Sequence, residues 1–424
     1  DLKNRSIQPD LTPDQMKFLS TIGNNISEAF YHGADSVPYN NNEVLYKKMD
    51  TIVAGINYTS IYVRTTNKND ICYRIRFSYM GNNKGNYILS VAEANGRVFQ
   101  WVAPIEGVPQ GNYEPVILLA TPRLVQMGTI GAEMKLSDHS KIQAEIALSN
   151  YDQNTFSDKD DEHNVGFAGK INYLFKKEIL TKKNHKWLWI NTLDYEFIHK
   201  NFRSIETFRP IEFSRIYNLE EDYSENKSEQ MLQFSSELSQ VDIGKIKYQI
   251  NYFSRNPELN LLRNEFESST KYKGFLFYTK SSYLYSEDKI QRTHFVNTDN
   301  TFAKEFKYIE IGIKENLEYN IFRLQENSTL RPNSYAFNDL KFYLKNSNNS
   351  DYIYQISYKN RIEHTTNEAT TLSLHSIINE AQSSFEITKI KNQRFRGNAT
   401  YRNTALKDTN SKFNRENHFI GSLE

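Results

Sequence analysis

Ile309-Glu310-Ile311-Gly312-Ile313-Lys314-Glu315-Asn316-Leu317-Glu318-Tyr319-Asn320-Ile321 is the longest alternating run in the chain. Ile309, Ile311, Ile313, Leu317, Tyr319 and Ile321 fall on one side. Glu310, Lys314, Asn316, Glu318 and Asn320 fall on the other, giving the two-residue period of a strand with one apolar face. Sandwich strands average about five to six residues, whereas a strand that crosses lipid needs roughly 9–11. This run reaches the longer class. Glu315 interrupts its apolar side, at a cost of roughly a few kcal/mol if it stood at a lipid midplane.

Working outward, the same pattern recurs from residue 126 onward. Ile130, Ala132, Met134 and Leu136 alternate with polar or small residues, as do Ile142, Ala144, Ile146 and Leu148. Further runs carry Phe167, Ile171, Tyr173 and Phe175, then Trp187, Trp189, Leu193, Tyr195 and Phe197. Ile246, Tyr248, Ile250 and Tyr252 face away from Lys245, Lys247, Gln249 and Asn251, and Tyr352, Tyr354, Ile356, Tyr358 and Ile362 form a late run. Polar turns at 137–140, 182–185 and 346–350 and longer links at 151–164 and 220–229 join them. Long alternating strands joined by short turns and occasional long loops predict an antiparallel up-and-down barrel wall of the membrane type. A soluble β-sandwich or barrel is the alternative, because alternation by itself fits both.

The 125 residues before this wall read differently. Thr12-Pro13-Asp14 supplies a cap, a proline at the first helical position and an acid in the first turn. Met16, Leu19, Ile22, Ile26 and Phe30 then predict an amphipathic helix running toward Gly33. A second, short helix is expected around 44–49. Ile71, Tyr73, Ile75, Phe77 and Tyr79 predict a half-buried strand with Cys72, Arg74, Arg76 and Ser78 on its polar side. Short strands at 97–102 and 115–120 fit between Gly and Pro punctuation. The expected organisation is therefore 1–50 helix and linker, 51–125 a β-rich segment, and 126–424 the barrel wall. The chain opens on Asp1 without a signal-peptide pattern and closes on an alternating run at 418–424, which predicts a piece of a longer protein.

Composition bounds the partners. The 52 basic and 51 acidic residues nearly cancel and form no long block, which argues against nucleic acid. Aromatic residues, mostly Tyr and Phe, carry much of the apolar content and favour strands. The single cysteine rules out an internal disulfide and any all-cysteine metal site. No apolar stretch approaches the 18 residues of a membrane helix.

Several motifs stand in fixed order: Gly85-Asn86-Tyr87, Asn95-Gly96-Arg97-Val98, Gly111-Asn112-Tyr113-Glu114-Pro115-Val116, Ala147-Leu148-Ser149-Asn150-Tyr151-Asp152 and Asn154-Thr155-Phe156-Ser157. With them the chain resembles the long outer-membrane β-barrel proteins of Bacteroidetes-type bacteria, most closely over residues 70–220. The resemblance implies a cell-envelope location and a barrel wall with an N-terminal periplasmic or surface segment. It implies no catalytic residues. Asp35-Ser36-Val37 and Asp50-Thr51-Ile52 match the short pattern of an O-glycan acceptor in such bacteria, and equally that of a turn or cap.

Chemistry-bearing clusters are sparse. Asp158, Asp160, Asp161 and Glu162 are a candidate hard-cation loop, although the spacing is not that of an EF-hand and a solvated charged loop reads as well. Glu220-Glu221-Asp222 is a second acidic cluster of the same kind. Nine histidines make no closely spaced pair, and hydrolase and nucleotide-binding signatures are absent. Cys72 beside Arg74 has no partner base. Trp187 and Trp189, just after Lys182-Lys183, suit interfacial anchors and alternatively a sugar-stacking platform. Arg203, Arg209 and Arg215 with Glu206 and Glu212 would line a polar lumen or form a salt-bridged surface ribbon.

The sequence thus predicts a non-enzymatic outer-membrane barrel with a transport, secretion or scaffold role and no cofactor. Its partners would be the lipid bilayer or lipopolysaccharide, envelope proteins and an unidentified solute. The alternative is a secreted or surface β protein that binds glycans or proteins through Trp and Tyr.

Overall fold

The computed structural model describes residues 11–93, 96–180, 186–219, 227–256, 258–346, 351–368, 371–388, 395–407 and 412–423. The chain divides into two units, residues 1–126 with 150–165, and residues 127–149 with 166–424. Residues 150–165 return to the first unit, and the proposed division at residue 50 falls inside it.

The first unit begins with α1 (Pro13–Ile22). Thr12 and Gln15 exchange the reciprocal bonds of a capping box, the Gln15 amide donating to Thr12 Oγ1 and the Thr12 amide to Gln15 Oε1. The helix stops earlier than its periodicity suggests, because Gly23 turns to φ 63° and Ile26 enters a 3-10 turn. Leu19 buries against Ala29 and Leu119. Ten strands follow: β1 (Phe30–His32), β2 (Ala34–Val37), β3 (Leu45–Val53), β4 (Ile56–Thr65), β5 (Cys72–Ile75), β6 (Ser78–Tyr79), β7 (Tyr87–Glu93), β8 (Gly96–Trp101), β9 (Tyr113–Glu114) and β10 (Val116–Leu118). They form sheets ordered β2-β5-β3-β4 and β6-β9-β7-β8 and a β1-β10 pair.

Two expectations are corrected here. Residues 45–53 are strand β3, not a helix, because Leu45 and Tyr46 are both buried while the backbone pairs with β4. The 71–79 run is not one strand. It breaks between β5 and β6, and its faces are inverted at the start: Ile71 is exposed, whereas Cys72 is buried at 2% exposure. Asp35-Ser36-Val37 and most of Asp50-Thr51-Ile52 also lie in paired strands rather than turns or caps.

Phe77 gathers the core of this unit, with the rings of Tyr46, Tyr87 and Phe99 centred 4.4–5.4 Å from its own. The buried Tyr46 hydroxyl accepts from the Phe99 amide and the Tyr87 hydroxyl from the Tyr62 amide. Burial, the largest influence, pushes the Tyr87 phenol up to about 12 from 10. With the folded value above the unfolded one, the stability this group contributes is complete below pH 10 and lost as pH rises through about 12. A spectrophotometric tyrosine titration should therefore show Tyr87→Phe removing a late-ionising phenol from the alkaline unfolding step.

The two Gly-Asn-Tyr tripeptides meet. Gly85 and Gly111 exchange amide–carbonyl bonds of 3.1 and 2.8 Å, Tyr87 pairs with Tyr113, and Glu114 accepts from both the amide and the side chain of Asn86. A Cβ on either glycine would fall 2.4 Å from the carbonyl oxygen of Tyr113 or Tyr87.

The second large element is one 15-stranded antiparallel sheet in sequential order. Its strands are β11 (Leu124–Ser137), β12 (Ser140–Asp152), β13 (Val165–Leu180), β14 (Lys186–Ile198), β15 (Ser228–Gln240), β16 (Gly244–Asn256), β17 (Leu259–Tyr272), β18 (Phe275–Asp288), β19 (Gln291–Glu305), β20 (Ile309–Leu324), β21 (Tyr335–Asn346), β22 (Tyr352–Glu368), β23 (Thr371–Ile387), β24 (Phe395–Lys407) and β25 (Phe413–Leu423). Their 11–17 residues agree with the long class expected from sequence. The up-and-down antiparallel order is as expected. Among the described residues β11 and β25 do not pair with each other, so the sheet is open rather than the closed barrel expected. A short helix, α2 (Phe213–Ile216), lies between β14 and β15.

Candidate functional site: the polar face of the large sheet

Because successive side chains leave a strand on opposite sides, the register assigns every residue of β13–β25 to one of two faces. One carries Ile246, Tyr248, Ile250 and Tyr252 of β16, which pair across β15 with Leu238, Ser236, Phe234 and Leu232. Its apolar side chains are open, Ile311, Phe342, Ile356 and Tyr401 among them. The other face carries the charges, yet it is the covered one, and Asn251 at its middle is wholly buried. A water-soluble sheet has the reverse arrangement.

Several charges on the polar face are matched strand to strand. Arg361 stands opposite Asp339 at 3.2 Å, Arg402 opposite Glu380 at 2.8 Å, and Lys345 opposite Glu310 at 3.1 Å. Diagonal and same-strand pairs join Lys245 to Glu267 and Arg263 to Glu265. Tyr343 donates to Glu310 and lies over Gly312, whose missing side chain leaves room for the ring.

The link between β14 and β15 folds onto this face. Phe213 and Tyr217 join Phe253, Leu259, Leu261, Leu284 and Phe295 in one buried cluster. Arg209 meets Glu196 at 2.6 Å and Glu229 at 3.2 Å, while its guanidinium rests over Phe213. Six residues on, Arg215 reaches Glu318 of β20, and Asn218 and Asn320 exchange amide bonds. On a flat sheet Glu229 and Glu318, five strands and six register positions apart, would stand about 31 Å apart. A sheet curled around the link, polar face innermost, brings both within its reach. Gly166 helps seat the link, since a Cβ there would fall 2.1 Å from the Phe202 amide nitrogen.

Among the described residues, three of the cavities lie on this side. Two flank the link: one of about 590 Å³ includes Arg203, Arg209, Glu229 and Arg255, and one of about 660 Å³ includes Glu145, Lys170, Glu196 and Glu206. A third, of about 580 Å³, lies toward the opposite strand ends and includes Lys271, Asp299, Glu310, Lys314, Tyr343 and Lys345.

The sequence-derived candidates are therefore separated. Arg209 and Arg215 belong to the polar face through their carboxylate partners, Glu212 pairs with Arg215, and Glu206 borders a cavity. Arg203 instead donates to the carbonyls of Lys200 and Phe202, within its own loop. Trp187 and Trp189 share the apolar face of β14. Trp189 donates to Ser236 and meets Phe175 edge-on. Lys182 and Lys183, which suggested the anchor role, lie outside the described residues, as does the 220–222 cluster.

The acidic loop of the first unit has a different use. Asn154 donates to the carbonyls of Leu19 and Gly23, Ser157 to that of Ser20, and Asp160 accepts from the Asn24 amide. These bonds satisfy the open end of α1. Asp161 accepts from Asn164 and Glu162 pairs with His163. Among the described residues no three carboxylate, histidine or cysteine side chains gather as a metal site, so the cation-loop candidate of Asp158, Asp160, Asp161 and Glu162 gains no geometry.

Glu315 lies on the apolar face, where its carboxylate accepts from Thr298 and Asn300. The apolar cluster beneath α2 escaped the sequence reading. Its signal is the doubled apolar residue, as in Tyr252-Phe253, Leu261-Leu262 and Leu284-Tyr285, which puts one apolar side chain on the polar face.

Compared with protein-family models, curated proteins and solved structures, the chain matches none. Among the described residues no helix is long and apolar enough to cross a membrane, which says nothing of crossing by strands.

Proposed function

We propose that residues 127–149 and 166–423 build the wall of an outer-membrane β-barrel, its apolar face toward lipid and its polar face toward a lumen. The observation that carries this reading is the inverted exposure: strands of 11–17 residues leave Ile, Phe and Tyr open while their charges are covered and paired. In water so large an apolar surface would promote association. In lipid it is the required outer surface, with polar side chains inside. Glu315 fits because its Oε2 accepts from two neighbours on its own face, Thr298 and Asn300.

An open sheet in lipid would leave backbone groups of β11 and β25 unpaired, which the hydrocarbon does not tolerate. The reading therefore requires these edges to pair with each other or with further strands. The role is solute passage, secretion or envelope scaffolding rather than catalysis, and the order of motifs over residues 85–157 supports kinship with barrels of Bacteroidetes-type bacteria.

Fractionation of the source cells tests it. The protein should stay in the outer-membrane fraction through carbonate and urea and leave only with detergent. Recovery as a soluble β-rich protein without detergent would overturn the barrel and favour glycan or protein binding.

A further inference from the structure

We infer that Lys314, Lys341 and Lys359 form a binding site for a small oxyanion of the phosphate class on the polar face of the sheet. The inference rests on the barrel reading only for the route by which the anion arrives. Lys314 of β20 stands directly opposite Lys341 of β21, which stands directly opposite Lys359 of β22. Like charges directly opposed on one face destabilise a sheet, and here the opposition occurs twice in succession.

Neighbouring cations, Lys359 included, are matched, and Lys314 and Lys341 are not. Arg361 has Asp339, and Lys345 has Glu310. Lys359 stands opposite Glu380 and reaches its Oε1 at 3.6 Å, while Arg402 holds the other oxygen, Oε2, at 2.8 Å. Lys314 and Lys341 have no ion pair among the described residues. Asp299 borders the same cavity, but the register sets it opposite Lys280.

A multivalent anion resolves the opposition. Ammonium groups are compact point charges with three donors each, suited to a tetrahedral oxyanion approached from several sides. Thr301 stands opposite Lys314 and adds a neutral hydroxyl, and the Lys314 ammonium lies 5.6 Å from the centre of the Tyr343 ring. A cavity of about 580 Å³ bordered by Lys314, Thr301 and Tyr343 opens beside the row at its Lys314 end. Basic groups lining a lumen are also the means by which a pore favours anions.

Thermal unfolding of the detergent-purified protein, followed by calorimetric titration with inorganic phosphate, tests the site. Phosphate should raise the unfolding temperature more than sodium chloride of equal ionic strength. Lys341→Gln should raise that temperature in phosphate-free buffer, by relieving repulsion, and weaken phosphate binding by about tenfold or more. Lys227→Gln, which breaks the matched pair with Glu258 at 2.8 Å beside a different cavity, should keep the phosphate response.

An equal response to chloride, or a Lys341→Gln protein that binds phosphate as the parent does, would overturn the site. The barrel reading is judged separately by fractionation. Membrane retention without phosphate binding removes only the anion site, whereas phosphate binding by a detergent-independent protein removes only the lumen.

Discussion

Arg209→Ala should free the β14–β15 link from the polar face. The substitution removes a cation from two carboxylates, those of Glu196 and Glu229, both with side chains under a fifth exposed. Glu229 keeps Arg255, but Glu196 loses its only ion pair among the described residues. Breaking a largely buried pair in this way costs about 3 kcal/mol. The aromatic contact of the guanidinium with Phe213 disappears as well. When opening is fast relative to cleavage, that cost appears as about a hundredfold faster proteolysis within residues 203–215. Trypsin cleavage at Arg203 and Arg215, timed against the parent protein, measures it. Arg209→Lys should fall between, since an ammonium can replace the single nitrogen that meets both acids but not the guanidinium plane that rests over Phe213. Unchanged cleavage in Arg209→Ala would mean that the apolar cluster around Phe213 alone seats the link.

Gly85→Ala should open the first unit. The added Cβ would stand 2.4 Å from the Tyr113 carbonyl oxygen, a backbone atom that cannot swing aside as a side-chain tip would. Either the Gly85–Gly111 bonds part or the strand pair shifts, with an expected loss of about 3 kcal/mol. The chain supplies its own reporter, because its single cysteine, Cys72, is buried in this unit. Labelling of that thiol in the full chain should quicken by about a hundredfold if it reacts through opening. Gly55→Ala is the matched control. It adds a Cβ with nothing within 4 Å, though at a φ of 80°, so it carries backbone strain without the clash. Equal labelling of the two variants would mean that the close approach at Gly85 is not what opens the unit.

Much of the large sheet is legible from residue alternation, since each run from Ile130 to Ile362 maps onto a strand. Legibility fails where a residue's role depends on distant sequence. Asn154 reads as part of a polar loop, and only the fold brings its amide to the carbonyls of Leu19 and Gly23. Phe253 and Leu284 break the two-residue rule because α2 covers them. Leu45 and Tyr46 resemble a helix fragment because two adjacent buried residues suit a helical period as well as a strand buried on both sides. Of the charged candidates, Arg209 and Arg215 were identifiable by type, but their partners Glu229 and Glu318 come from strands far apart in the order. The lysine row was hidden for the same reason: Lys314, Lys341 and Lys359 become neighbours only once the register is fixed.

The interrupted course of the first unit governs the order in which the chain can mature. The polypeptide leaves that unit after residue 126, runs through the hairpin of β11 and β12, and re-enters it at 150. During synthesis the last turn of α1 must wait for Asn154 and Ser157, so it stays uncapped while some 130 further residues are made. The later strands differ, since each pairs with its immediate predecessor and can be added one hairpin at a time. Non-local closure is the slow event in folding and local pairing the fast one. Completion of the small unit, rather than growth of the wall, is thus the step at which a nascent chain would pause.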